Sequence, residues 1–429
     1  MGLTQSDLAG AELSKSFVSL LETARSYPSV ETLLLLAKRA GASPGSLLLE
    51  SADLQLDAAL SLLTLASNSV WRRPAWARGL LDTVKELLPD MPLRIRAETA
   101  FLRGLTFAAD GHLKEAEQQA EVSRRAAEQA RFGPSIARAS ALSGHLLMLR
   151  RDFRKAMAQF GDAVGKFRAS GSLRSEFGIR TLLWLGSTSI QTGRVRYARG
   201  VYEQARRLAA RLGLRTLEGR ALWGLGHHAW VEGDLTKAAR LLLEAKSVFE
   251  ESEDLAELGE VMRNLGRLLR EQGKVDAARD ALDHAVRVAN QVGNLRMRSA
   301  AYEEMARVWV QRGDLERAEE AVGHAGRLAR SAGDRLHRGR VLTIEGVIAA
   351  RRGDRPKARR LLGQAVRVLG RVGAKDEAAE VSRDLALLRG PATSSEADHY
   401  VAQALGSTAP RSMRKRAPRR PTRSRRPRK

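Results

Sequence analysis

Small and apolar positions in this chain fall on a ladder set among charged stretches. Between Arg220 and Ala245 the rungs are Gly226, Gly233, Ala238 and Ala245. The same ladder reads Gly266, Gly273, Ala278, Ala285, then Ala306, Gly313, Ala318, Ala325, then Gly346, Gly353, Ala358, Ala365. Upstream it reads Gly186, Gly193, Ala198, Ala205, then Gly144, Arg151, Ala156, Ala163, and Gly104, Gly111, Ala116, Ser123. Its turn position falls at 111, 151, 193, 233, 273, 313 and 353, so five of the six intervals are 40 residues and one is 42. A bulky apolar residue usually follows four places after the first Ala (Phe160, Tyr202, Leu242, Leu282, Leu362). Each copy therefore predicts two antiparallel helices. Gly226 and Ala238 permit their close approach, and Gly233 takes the positive φ of the turn between them. Gly213, Gly293, Gly333 and Gly373 mark a second turn. One hairpin cannot bury its own apolar face, so successive hairpins must stack into a superhelix.

This ladder resembles the tetratricopeptide repeat in its longer, 40-residue form, from about Ala97 to Leu388. The resemblance implies an all-α fold, a solenoid of about seven hairpins, and a binding scaffold rather than any one activity. In that family the first helix of each pair lines the concave surface. Its ligand-facing positions map here to Trp223, His227 and Trp230, then Arg263, Asn264, Arg267 and Arg270, then Glu303, Glu304 and Arg307. An aromatic wall beside a basic row suits a peptide or protein effector, or a carboxylate. The alternative is that the tryptophans complete the stack and the arginines form a solvated face. Arg263, Arg267 and Arg270 repel one another along one helical face, which calls for an anionic partner or an acidic neighbour such as Glu303.

Residues 2–42 break from the ladder. Thr4 is placed to cap a short helix through Gln5, Leu8 and Ala9, and Ser14 caps a second over Lys15 to Glu22. After Pro28-Ser29 a third helix carries Leu33, Leu36, Ala37 and Ala40 on one face and ends at Gly41. These residues, with Leu3-Thr4-Gln5, Ser14-Lys15-Ser16, Val18-Ser19 and Leu21-Glu22, resemble the Cro-like, phage-repressor (XRE-type) helix-turn-helix. By that resemblance the helix from Ser14 reads DNA, with Thr4, Gln5, Lys15, Ser16, Phe17 and Ser19 facing it. In that family a further helix precedes the segment matching Leu3-Thr4-Gln5. Here the sequence opens at Met1, so the true start lies upstream or that helix has been lost.

The expected organisation is a reader over 1–50, a helical linker or degenerate repeat over 51–96, repeats over 97–390 and a disordered basic tail over 391–429. Three helices are expected between 43 and 88, starting at Ser43-Pro44, Asp53 and Trp76. Net charge is +24, but residues 411–429 hold eleven Lys or Arg and no acid, so +13 is spread over the other 410 residues. Such a tail suits non-specific contact with a polyanion. The absence of cysteine excludes disulfides and thiolate metal sites. No nucleotide-binding glycine loop, His-Glu-x-x-His pair or nucleophile elbow is present, so the sequence supports neither catalysis nor a cofactor. No apolar run reaches membrane-spanning length, and a cytoplasmic location is expected. The sequence thus suggests a DNA-binding, homodimeric regulator governed by an effector in the repeats; the alternative is an interaction scaffold that does not bind DNA. Dimerisation follows because one small reader covers only a half-site.

Overall fold

The computed structural model describes residues 3–23, 26, 28–41 and 52–388. The helix expected from Ser43-Pro44 and the basic tail lie outside them. Among the described residues there are helices and no strands. The chain divides into two compact units, residues 1–181 and 182–429, with the division falling inside a helix.

The first unit opens with α1 (Gln5–Ala9), α2 (Lys15–Glu22) and α3 (Val30–Ala40). Ala9, Val18 and Leu36 form their small core, and Gly41 ends α3 in the left-handed region. Next come α4 (Ala52–Ser69) and α5 (Pro74–Leu87), then two ladder hairpins, α6 (Leu93–Ala109) with α7 (Leu113–Gln129) and α8 (Gly133–Leu149) with α9 (Phe153–Ala169). Trp71, between α4 and α5, lies under the Arg180 guanidinium at 4.5 Å and edge-on to His145. Helix α10 (Glu176–Gln191) carries the division, and α11 (Val195–Arg211) follows it.

The second unit continues with four hairpins: α12 (Arg215–Glu232) with α13 (Leu235–Glu251), α14 (Leu255–Glu271) with α15 (Val275–Gln291), α16 (Leu295–Arg312) with α17 (Leu315–Ser331), and α18 (Arg335–Arg351) with α19 (Arg355–Arg371). Helix α20 (Lys375–Leu387) closes the described part. The aspartates at 234, 314 and 354 cap the second helices, each accepting a bond from the backbone N–H three residues on. The ladder's turn position is left-handed throughout, including the non-glycine Arg151 at φ +62°.

In five copies the bulky residue of the second helix sits on the glycine of its first helix. A Cβ at Gly144 would lie 2.8 Å from the Phe160 ring, and one at Gly186 2.7 Å from Tyr202. Gly266 faces Leu282 at 2.6 Å, and Gly346 faces Leu362 at 2.7 Å. Where the ladder substitutes Ala306 for glycine, the opposing residue is Val322, and both are buried. One carbon is gained on one helix and one is lost on the other. In the first copy the opposing position is only Ala120, and Leu142 from the next hairpin fills the space over Gly104. We expect Gly266→Ala to destabilise the protein by about 1–3 kcal/mol through overpacking. Adding Leu282→Val should recover part of that loss. Denaturant titration of both single variants and the double checks this; simple addition of the two costs would refute the interlock.

Candidate functional site

The first helices of the second unit bring the expected groove residues together. On α12, Trp223, His227 and Trp230 are spaced by four and three, which puts them on one face. Trp223 and His227 are half-buried, whereas Trp230 is only 3% exposed. Trp230 is held from two sides. Its Nε1 donates to Glu271 Oε2 at 2.7 Å, and the Arg267 guanidinium lies over its ring at 4.4 Å. The His227 ring meets it edge-on. Burial, aided by the charge of Arg267, pushes the His227 imidazole down to about 4, so it is neutral at pH 7.

The basic row on α14 is already partnered. Arg263 donates to Glu260 Oε2 at 2.8 Å, and Arg267 lies 3.5 Å from Glu271. Arg270 is 2% exposed, within 3.7 Å of Glu304 and 3.8 Å of Glu271. On α16 the buried Arg307 donates to Glu303 at 3.2 Å and lies 3.7 Å from Glu304. His337 Nδ1 and Glu303 Oε2 are 2.8 Å apart, and Arg340 on α18 forks onto Glu377 of α20. Burial alone would raise the Glu303 carboxyl, but the His337 bond and the charges of His337, Arg340 and Arg307 hold it well below the usual carboxylate range. Burial likewise opposes ionisation of Glu304, yet Arg307, Arg270 and Arg267 keep its carboxyl low.

Of the two options the sequence leaves open for the basic row, an anionic partner or acidic neighbours, the second is met within the chain. Trp230, Arg270 and Arg307 form a buried floor, and Arg263, Arg267, Arg270, Arg307 and Arg340 are matched one for one by Glu260, Glu271, Glu303, Glu304 and Glu377. The groups left towards solvent are Trp223, His227, Arg263, Asn264 and Arg267, all partly exposed. Asn264 spends its Nδ2 on the Glu260 carbonyl at 2.8 Å, so its own carbonyl oxygen is the group it offers. Among the described residues Trp223 makes no hydrogen bond and no ring contact. The sequence missed Glu271 and His337. Glu271 carried a signal, standing four residues after Arg267, but His337 is joined to Glu303 only through packing of the next hairpin.

The other expected site lies on α1 and α2. Thr4 is engaged in a capping box with Asp7, and Gln5 Nε2 donates to Glu22 Oε2 at 2.6 Å. Lys15 and Ser16 are exposed, while Phe17 and Ser19 are half-buried. Arg39 reaches back to the Leu8 and Ala9 carbonyls at 2.9 and 2.6 Å and pairs with Glu12. Over residues 1–42 four acids balance four bases, so this part carries no net charge to hold phosphates.

With this geometry in hand, the comparisons with known proteins define the architecture. Residues 217–291 match the tetratricopeptide repeat, and residues 299–324 and 339–364 match it again. The chain is thus an all-α solenoid carrying tetratricopeptide repeats. It is similar to a Rap protein solved in complex with competence and sporulation factor, at 12% identity and a TM-score of 0.58, over 80% of this chain and 99% of that one. It is also similar to the quorum sensor NprR from B. thuringiensis in its apo form, at 13% identity and a TM-score of 0.55, over 85% of this chain and 98% of that one. At such identity the likeness shows a shared fold alone. A search of the curated proteins gives no match. Among the described residues no helix is long and apolar enough to cross a membrane.

Removing one partner from the buried part of the network should cost far more than removing one at its rim. Glu304→Gln leaves Arg270 and Arg307 under-compensated and should destabilise the protein by about 3–5 kcal/mol. Glu260→Gln, in a pair open to water, should cost under about 1 kcal/mol. Urea titration distinguishes them; equal losses would contradict the assignment of floor and rim.

Proposed function

We propose that the chain is an interaction protein whose first-helix row in the second unit binds an extended peptide or protein segment. The single observation that carries this is the half-buried Trp223 indole, free of hydrogen bonds and ring contacts among the described residues, on a face otherwise fixed by a buried ion network. Stacking of hairpins does not need such a network, because apolar residues of similar volume pack as well or better. A fixed polar floor instead holds the rim in place for recognition. Since the arginines are matched by glutamates, an incoming carboxylate would meet Glu260 and Glu271 as well as Arg263 and Arg267. The ligand is therefore read by an apolar side chain on Trp223 and by its backbone at Asn264. Proteins of the same fold include one complexed with competence and sporulation factor and one quorum sensor, which supports a ligand-binding role for this architecture.

A random peptide library selected on the whole chain tests the proposal. Enriched peptides should share an aliphatic or aromatic anchor and bind equally well with an amidated C-terminus. Trp223→Ala should weaken them at least about thirtyfold, as expected for an aromatic anchor worth 2 kcal/mol or more, with melting temperature nearly unchanged. Peptides that bind this variant as tightly as wild type would defeat the proposal.

A DNA reader at α1–α3 is the second reading, supported by the two capped helices crossing over Ala9 and Val18. Its neutral charge makes it weaker, and it would need a homodimer to span two half-sites. Selection from random duplexes should then yield a preferred site, and Lys15→Ala with Ser16→Ala should lose about 1–3 kcal/mol of preference per contact. If no sequence is enriched, this reading fails.

A further inference from the structure

A cavity lies on the side of α12 opposite Trp223 and Trp230. At 100° per residue, Glu218, Leu225 and His228 share a face turned away from Trp223, His227 and Trp230. They form the floor of a cleft of about 450 Å³ between α11 and α13. Arg199, Glu203, Arg206, Arg207 and Ala210 line it from α11, and Lys237, Arg240 and Leu241 from α13. Five cations thus converge with two acids.

Both acids are committed. Glu203 accepts from Arg199 at 2.8 Å, and Glu218 accepts from Arg215 at 2.9 Å, outside the cleft. Arg240 is 4.0 Å from Glu244. Arg206, Arg207 and Lys237 have no side-chain partner among the described residues. Below them His228 is 2% exposed, and its Nε2 is buried with no side chain bonded to it. Burial drives this imidazole below its ordinary range; Glu232 and a hydrogen bond to the Val195 backbone oppose the shift, and Arg199 and Lys237 add to it. Leu225 and Leu241 complete an apolar base.

Three cations without an ion-pair partner around one concave space repel one another, modestly since Arg206 and Arg207 are exposed, and a dianion between them removes that cost. The volume falls in the range of small-molecule sites. We propose that this cleft binds a phosphate-bearing small molecule, with Arg206, Arg207 and Lys237 on the phosphate oxygens and Leu225 and Leu241 under any organic part. Arginine suits the forked contact to phosphate oxygens, and lysine acts as a point charge. This site is independent of the peptide groove, since the two use opposite faces of α12.

Titration calorimetry of the whole chain at about 0.15 M salt, where loose surface charge is screened, tests it. Inorganic pyrophosphate and glucose 6-phosphate serve as separate probes. At least one should bind saturably at one site per chain. Stronger pyrophosphate binding would mean that charge alone is read, and stronger ester binding would mean that the apolar base contributes. Arg206→Ala with Lys237→Ala should weaken the better probe at least tenfold. Arg359→Ala with Arg360→Ala, two exposed arginines of α19, should leave it unchanged, as should Trp223→Ala. The proposal is overturned if neither probe saturates, if the cleft variant binds as wild type does, or if the α19 variant loses as much.

Discussion

Everything in the repeats depends on how closely two helices of one hairpin can cross. At that crossing the first helix has no side chain, and the second places Phe160, Tyr202, Leu282 or Leu362 into the space. The contact fixes the separation and the register of each pair at once. It also explains why the sixth copy tolerates Ala306, since Val322 withdraws by one carbon. With the crossing fixed, the two helices of a hairpin have distinct duties. First helices stand side by side and present one polar face, and second helices present another. The peptide groove and the anion cleft proposed above are the two results, one on each side of α12.

The buried ion network follows a different logic. Arg270, Glu304, Arg307 and Glu303 are nearly inaccessible, so each gives up hydration that only its neighbours replace. Such groups are poor glue but good positioning devices, because moving one unbalances the next. Their reach spans α14, α16 and α18, and through Glu271 it fixes Trp230 beneath the rim and Arg267 at it. The rim itself is sparse: one open indole, one neutral imidazole, one amide oxygen and two guanidinium groups already shared with glutamates. That balance favours a ligand recognised by shape and backbone over one recognised by charge.

The ladder was legible because its cause is local and steric. A missing Cβ, a left-handed turn and a bulky partner sixteen residues on all leave marks in sequence. The short helices α1–α3 were equally legible, since Thr4, Ser14 and Ser29 cap them and Gly41 ends α3. Burial of the groove was not legible. Arg270 and Glu304 are 34 positions apart, and nothing in either helix alone says that they face each other. Trp230 reads as a ligand platform in sequence, yet Arg267 and Glu271 enclose it. The basic cleft was not legible either, because Arg206, Arg207 and Lys237 lie on two different second helices and meet only through packing.

Amide hydrogen exchange on the whole chain, with and without a saturating selected peptide, tests the central claim most directly. Bound peptide should slow exchange along α12 and α14, at the turns of Trp223 to Trp230 and Arg263 to Arg267. Protection confined to second helices, or to α1–α3, would contradict the account.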